Sequence, residues 1–193
     1  AGRAAVHSLD LELGEWALHR AVELAEREGD HPSGAEAQVL LCRLLARAGR
    51  LEAALDRARD AIAAAKRTGD DALVAKACGA IAETLQQRGS FGQDIEYIER
   101  ALTLARAVGD PGPLSEYLQL AVVHALGVGE YGRTKELLDQ ARAMADESQD
   151  AILACQLLKV EVLLLRLSGD NEAALRKNLE GVELGQAQGL REL

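Results

Sequence analysis

Residues 89–129 read GSFGQDIEYIERALTLARAVGDPGPLSEYLQLAVVHALGVG, with a glycine at each end and another, Gly109, midway. Glycine recurs at intervals of 40 residues along the chain in two series. The first series is Gly49, Gly89, Gly129 and Gly169, and the second is Gly29, Gly69, Gly109 and Gly189, interrupted only by Gln149. A period of this length is typical of stacked helix pairs. Glycine at these positions supplies the left-handed residue that follows a helix end.

Written in blocks of 40, the chain contains four complete repeats and one partial repeat without insertion or deletion. The complete repeats are 31–70, 71–110, 111–150 and 151–190, and residues 1–30 fit the last three-quarters of a block. We therefore expect one all-α solenoid domain over residues 1–193, a right-handed superhelix of about four and a half repeats. Both ends resemble cuts within a longer solenoid.

Apolar residues within each block recur at the three- and four-residue spacing of an amphipathic helix. This spacing predicts nine complete helices, a truncated helix at residues 1–8, and no strand. The predicted first helices of the repeats are 34–48, 72–88, 113–128 and 152–168, and the second helices are 51–68, 93–108, 133–148 and 171–188.

Two residue types mark the starts of the first helices. They are the prolines Pro32, Pro111 and Pro113 and the aspartates Asp30, Asp70, Asp110 and Asp150. Proline is tolerated in the first turn of a helix, where its missing N–H has no intrahelical partner to lose. Aspartate just before a helix predicts an N-cap, which also places a negative charge at the positive end of the helix dipole.

The composition narrows the classes of function. The net charge is −9, and only 3% of the residues are aromatic. Nucleic-acid binding relies on cations that neutralise phosphates and on aromatic rings that stack on bases, so direct nucleic-acid binding is not expected. The chain shows no leader pattern and no apolar run near 18 residues, so neither secretion nor membrane spanning is predicted.

The three cysteines, Cys42, Cys78 and Cys155, form no CxxC pair and fall within predicted first helices. A free cysteine in such a place behaves as a small buried hydrophobe. We therefore expect three reduced, unmetallated thiols and a cytoplasmic location.

Three features suggest chemistry, and each has a simpler structural explanation. Residues 127–132 spell GxGxxG, but the dinucleotide motif needs a preceding strand, and a helix is predicted here. His19 shares a helix face with Glu15 and Glu23, but nothing nearby completes a metal site, so a solvated polar face is favoured. For His124, a hydrogen-bonded core histidine is favoured over a ligand contact. Because no acid, base, nucleophile and metal ligands converge, we expect no enzyme activity, cofactor or metal.

The repeat resembles the tetratricopeptide repeat (TPR). In that pattern a turn glycine is followed by a bulky residue, then by a small residue and an alanine along the second helix. Gly89-Ser90-Phe91 and Gly129-Glu130-Tyr131 match its first part. When the 40-residue blocks are aligned, residues 40 apart fall in one column. The column of the small residue holds Ala54, Asp94, Thr134 and Ala174, and the column of the alanine holds Ala61, Ala101, Ala141 and Gly181. The interval of 40 residues exceeds the usual 34 of the family.

The end of the second helix, Leu104-Ala105-Arg106-Ala107-Val108-Gly109-Asp110, is similar to the MalT-like class of this repeat. The resemblance implies a sensor arm of a large ATP-binding bacterial regulator, often with a LuxR-type DNA-binding module. This chain itself contains neither a GxxxxGK[ST] phosphate loop nor a recognisable helix-turn-helix. Peptide-sensing regulators and kinesin light chains use repeats of similar length, and a free-standing scaffold that docks peptides or helices is the alternative.

The resemblance also implies that first helices line a concave face on which the ligand binds. The ligand-facing columns project onto Arg43, Arg47, Lys76, Glu83, Gln86, Gln119, Val123, Leu126, Lys159, Leu163 and Arg166. Such a mixture suits a protein or peptide partner, a small polar effector, or other domains of the same regulator. A solvated face without a partner is the alternative.

The last predicted helix carries Leu175, Leu179, Val182 and Leu184 on positions that a following helix would normally cover. Partly uncovered apolar residues of this kind predict weak self-association.

Overall fold

The computed structural model describes residues 2–109, 111–148 and 151–187. The described residues form nine helices and no strand, so the all-α prediction is confirmed. The chain divides into two compact units, residues 1–109 and 110–193. Unit 1 contains α1 (Gly2–Glu28), α2 (His31–Arg47), α3 (Leu51–Thr68), α4 (Asp71–Gln87) and α5 (Ile95–Val108), and unit 2 contains α6 (Pro111–Gly127), α7 (Tyr131–Ser148), α8 (Ala151–Leu167) and α9 (Asn171–Ala187). The single solenoid domain over 1–193 stays a prediction.

The first helix differs from the prediction. α1 runs without a break from Gly2 to Glu28, so the separate truncated helix at residues 1–8 is wrong. The physical reason lies in the glycine series itself. Leu9 occupies the column in which the later blocks have Gly49, Gly89 and Gly129. Without a residue that readily adopts the left-handed conformation, nothing at this position ends the helix.

The two glycine series end the helices as predicted. The described glycines of the first series have φ between +75° and +84°, and those of the second series have φ between +70° and +76°. At Gly49 both hydrogen bonds of a Schellman motif are present. Gly49 N donates to Ala46 O at 2.9 Å, and Arg50 N donates to Leu45 O at 2.9 Å. These two bonds satisfy carbonyls that have no intrahelical partner. Gly189 and Gln149 lie outside the described residues.

The aspartate caps are confirmed at two of the four positions. Asp30 accepts a hydrogen bond from Ser33 N at 3.1 Å, and Asp70 accepts bonds from Ala72 N and Leu73 N at 2.9 and 3.1 Å. Asp110 and Asp150 lie outside the described residues. The first helices begin one to three residues earlier than predicted, with the prolines inside their first turns.

One second helix begins late because of a buried carboxylate. The helices α3, α7 and α9 each begin two residues after the turn glycine, whereas α5 begins at Ile95, six residues after Gly89. Asp94, which is fully buried, accepts hydrogen bonds from Gly92 N at 2.9 Å and from Gln86 Nε2 at 3.0 Å. The other members of its column are the small or uncharged Ala54, Thr134 and Ala174. A local turn that satisfies this charge replaces the first turn of α5.

Helix packing within each unit distinguishes an inner layer from an outer layer. In unit 1 the first helices α2 and α4 pack against each other, and in unit 2 α6 and α8 do so. Among the described residues, α3 packs against neither α1 nor α5, and α7 does not pack against α9. First helices therefore form the inner layer of each unit, and second helices form an outer layer with gaps between successive members.

The alanine column packs at the centre of the units. Ala61, Ala101 and Ala141 are completely buried. Side chains this small let neighbouring helix axes approach closely, and an added methylene has no space to occupy. Gly181 is the exception in this column. A Cβ atom added there would lie 3.7 Å from Leu158 Cδ1, which is an ordinary packing distance.

This difference predicts opposite effects for two substitutions in one column. Ala101→Leu overpacks a filled site and should lower the unfolding free energy by about 1–3 kcal/mol. Gly181→Ala adds a methyl group at an ordinary contact distance from Leu158 and removes a helix-interior glycine, so it should raise the unfolding free energy by about 0.5–1 kcal/mol. Urea denaturation of both variants checks this, and effects of the same sign would contradict the assigned register.

Candidate functional site

Residues 40 apart in sequence are neighbours in space on the inner layer of unit 1. Lys76 Nζ lies 2.9 Å from Glu36 Oε1, and Arg43 Nε lies 3.8 Å from Glu83 Oε2. Both pairs join α2 to α4, and both span one repeat interval. A spacing of 40 therefore corresponds to one step sideways between packed first helices.

Because of these ion pairs, most of the charged candidate residues in unit 1 already have partners within the chain. We call Arg43, Arg47, Lys76, Glu83 and Gln86 the inner face of unit 1. Three of the four charged residues bind opposite charges within the chain, which reduces the net field that a charged partner would meet. Gln86 serves the turn before α5, because its amide donates to the buried Asp94 carboxylate. Arg47 is exposed at the end of α2.

The equivalent columns in unit 2 have a different chemistry. We call Gln119, Val123 and Leu126 on α6, together with Lys159, Leu163 and Arg166 on α8, the inner face of unit 2. The spacings of four and then three residues place each set of three along one helix face. Residues 40 apart share a column, so Gln119 corresponds to Lys159, Val123 to Leu163, and Leu126 to Arg166. The column that holds the ion pair Arg43–Glu83 in unit 1 is apolar here.

Exposure distinguishes the two helices of this face. The three residues on α6 are half-buried, whereas Lys159 and Arg166 are exposed and Leu163 retains 43% of its accessible surface. Neither Lys159 nor Arg166 makes an ion pair with another residue that the structure describes. The inner face of unit 2 thus presents an exposed leucine and two cations that have no carboxylate partner in the part of the chain that the structure describes.

A second feature of unit 2 was not predicted from the sequence. A groove of about 600 Å³ lies in the gap between α7 and α9, over α8. Leu164 and Glu161 of α8 lie on its floor, and Leu138 of α7 lies on one wall. Glu161 binds Arg142 and lies 3.8 Å from Lys177. The one feature of the sequence that could have indicated this groove is Glu161, the only acidic residue in the largely apolar segment 157–167. Its two cations come from α7 and α9, which sequence spacing does not identify.

The structure places the remaining sequence motifs in helices and in the turn between α6 and α7. Residues 127–132 join the end of α6 to the start of α7, with no preceding strand. His19 lies 3.8 Å from Glu15 and is exposed, and His124 is buried as expected. Among the described residues, no three His, Cys, Asp or Glu side chains converge as metal ligands. Across the same residues, no helix combines the length and hydropathy needed to cross a bilayer.

The cysteines are buried in the helices where the sequence placed them. Cys42 Sγ lies 3.6 Å from Thr84 Oγ1 at the contact between α2 and α4. Burial is the main cause that raises the pKa of the Cys42 thiol, and burial likewise raises the pKa of Cys78. Both thiols are therefore neutral in the folded chain at neutral pH.

These raised pKa values predict a loss of stability at high pH. Above the ordinary thiol pKa of about 8.5, an unfolded cysteine releases its proton while the buried one retains it, so the unfolded state is favoured. The unfolding free energy should fall more steeply between pH 8 and pH 10 in the wild type than in a Cys42→Ala/Cys78→Ala double variant. Urea denaturation at a series of pH values measures both slopes, and equal slopes would contradict the prediction.

An apolar stripe lies along α9 as the sequence predicted. Leu175, Leu179 and Val182 retain 60%, 55% and 49% of their accessible surface, whereas Leu184 is half-buried. The spacing of four and then three residues places the exposed members on one helix face.

This stripe predicts weak self-association. Light scattering should show an average mass that rises with concentration, because contact between copies removes apolar surface from water. Leu179→Glu should reduce this rise, whereas Leu40→Glu, at an equally exposed leucine on α2, should not. A mass independent of concentration in the wild type would contradict the prediction.

Comparison with known proteins identifies the fold and no closer relationship. No protein-family model and no curated protein matches this sequence. The structure of BtubC (BKLC) from P. vanneervenii aligns with a TM-score of 0.68 at 15% identity, covering 95% of this chain and 94% of that one. A putative kinesin light chain from Podosopora anserina with nearly identical TPR-like repeats aligns with a TM-score of 0.66 at 16% identity, covering 98% and 93%.

At these identities the likeness shows the fold alone. Both neighbours are TPR-like repeat proteins, so the prediction of an all-α, TPR-like solenoid is confirmed. The finer assignment to the MalT-like class stays a prediction.

Proposed function

We propose that this chain is a non-enzymatic protein-interaction module that binds a segment of a partner protein on the inner face of unit 2. The observation that carries the proposal is the exposed Leu163, flanked by Lys159 and Arg166, two cations without ion-pair partners among the described residues. TPR-like repeat proteins as structural neighbours support the general class.

The chemistry of the face favours one kind of ligand. Val123, Leu126 and Leu163 offer an apolar strip on which a partner side chain excludes water. Lys159 and Arg166 lie one turn before and one turn after Leu163 on α8, where each favours a carboxylate. A peptide with an apolar anchor between two acidic residues therefore matches the face. The inner face of unit 1 is a weaker candidate, because three of its four charged residues already pair within the chain.

We further propose that the chain acts as the sensor arm of a cytoplasmic bacterial regulator of transcription. In this mechanism a ligand that contacts several first helices favours one curvature of the solenoid, and attached modules respond to the change in population. The alternative is a scaffold without a signalling ATPase, which docks partner peptides or helices. The complete coding sequence discriminates between them, because a phosphate-loop ATPase and a DNA-binding module are required only by the regulator.

The peptide proposal is tested with an array of 12-residue peptides in which a leucine, isoleucine or phenylalanine is flanked by acidic residues. The best binder is then measured by fluorescence anisotropy. Leu163→Ala should weaken its binding by about 1.5–3 kcal/mol, roughly tenfold to a hundredfold, because a buried leucine contact is lost. Leu179→Ala on α9 is the matched control and should leave binding unchanged.

Arg166→Ala should weaken the same peptide by about 1–3 kcal/mol without a change in helicity, because an ionic hydrogen bond is lost from the surface. Arg133→Ala, at an exposed arginine on α7, is its control. Equal losses in the control variants, or binding of a basic counterpart of the peptide with equal affinity, would place the binding surface elsewhere.

A further inference from the structure

A separate cleft lies on the outer side of unit 1, between α1 and α3. Its volume is about 400 Å³, within the range of small-molecule sites. The described residues of α1 and α3 form its walls without packing against each other, and the N-terminal half of α2 forms its floor. Small residues on the three helices, Ala25, Gly34 and Ala64, leave the space open. None of the residues expected to bind a ligand on the inner faces lines this cleft.

The floor contains a buried polar group with no partner among the described residues. Gln38 on α2 is only 6% exposed and lines the cleft, and its Oε1 accepts no hydrogen bond from any described residue. An amide oxygen buried in this way loses about 1–3 kcal/mol of solvation that no protein donor restores. Its neighbours in α2 are the apolar residues expected of a core helix. In the observed rotamer this oxygen has almost no accessible surface, so a rotation of the terminal amide is needed to present it to the cleft, where a donor from a bound molecule would satisfy it.

The walls carry opposite charges that pair with none of the described residues. Glu26 on α1 and Arg67 on α3 both line the cleft, and neither makes an ion pair with another described residue. Other charges in the cleft already have partners, since Glu23 lies 2.7 Å from Arg20 and Asp60 lies 3.3 Å from Arg57. Apart from Asp30, which caps α2, the charges left for a ligand are therefore one carboxylate and one guanidinium on opposite walls.

One further carboxylate extends the acidic wall. Asp30, at the junction of α1 and α2, lines the cleft while it caps α2 through Ser33 N. Hydrogen bonds from Ser33 lower the pKa of Asp30, so this group is ionised at neutral pH. The acidic side of the cleft thus favours a cation, and the opposite side favours an anion.

We propose that this cleft binds a small zwitterion of the size of an amino acid or a dipeptide. The ligand ammonium group lies between the Glu26 carboxylate and the Gln38 amide oxygen, and the ligand carboxylate pairs with Arg67. An ammonium group supplies the donor that Gln38 lacks, and two charges on one molecule match the two unpaired charges of the walls. The site is on the outer side of unit 1 and is independent of the peptide-binding proposal for unit 2.

The probes are the twenty free L-amino acids and the twenty dipeptides of the form Ala-X. They are screened by thermal shift and then titrated by isothermal calorimetry. At least one unmodified probe should bind. Its N-acetyl derivative, which lacks the ammonium group, and its C-terminal amide, which lacks the carboxylate, should each bind at least tenfold more weakly.

Three variants locate the binding. Gln38→Met, Glu26→Gln and Arg67→Gln should each weaken the best probe at least tenfold. Glu28→Gln on α1 and Arg59→Gln on α3 make matched changes outside the cleft and should leave its affinity unchanged. Gln38→Met preserves the side-chain shape and removes no internal hydrogen bond, so its urea midpoint should equal or exceed that of the wild type.

Several results would overturn the assignment. They are a lack of binding by all forty probes, equal binding of the acetylated or amidated derivatives, and equal losses in the control variants. A lower urea midpoint for Gln38→Met would show that the amide has a structural partner. The Leu163 assay distinguishes failure here from failure of the peptide proposal, because the two sites lie in different units and respond to different probes.

Discussion

Close contact between helices through small side chains is the constraint on which each unit depends. Ala61, Ala101 and Ala141 are completely buried, and the units contain few aromatic residues that could fill wider gaps. Helices that approach this closely have little freedom to slide, because a shift along the axis would place larger residues at the crossing. Tight packing thereby converts the 40-residue period into a fixed register between neighbouring helices. The pairs Lys76–Glu36 and Arg43–Glu83 are direct consequences of this register.

The same register gives the two units different surfaces. In unit 1 the columns of α2 and α4 carry opposite charges, which pair and leave little net charge for a partner. In unit 2 the equivalent columns of α6 and α8 carry valine, leucine, lysine and arginine, and the cations lie beside an exposed leucine. A repeat architecture can therefore keep one backbone while the columns of its inner layer change from internally paired charges to cations beside exposed apolar residues.

The gaps in the outer layer have a different physical origin. First helices pack together in each unit, so the second helices outside them diverge, and the spaces between them are floored by first-helix residues. Where those floor residues are polar, as at Gln38 and Glu161, their partners must come from flanking helices or from a bound molecule. Glu161 has cations from both flanking helices, whereas the Gln38 oxygen has no described donor.

The sequence by itself determined where most helices end, because those signals act within a few residues. Glycines with positive φ, aspartate caps and first-turn prolines need no distant partner. The continuous α1 was predictable by the same rule, since Leu9 replaces the glycine that ends the other first helices. Asp94 was different, because the late start of α5 depends on hydrogen bonds that its burial demands.

Only the tertiary structure decided which side chains meet, including the partners of Arg43, Lys76 and Gln86 and the unpaired oxygen of Gln38. Those contacts depend on which helix lies opposite, and the period of the sequence identifies a column without identifying its neighbours across a gap.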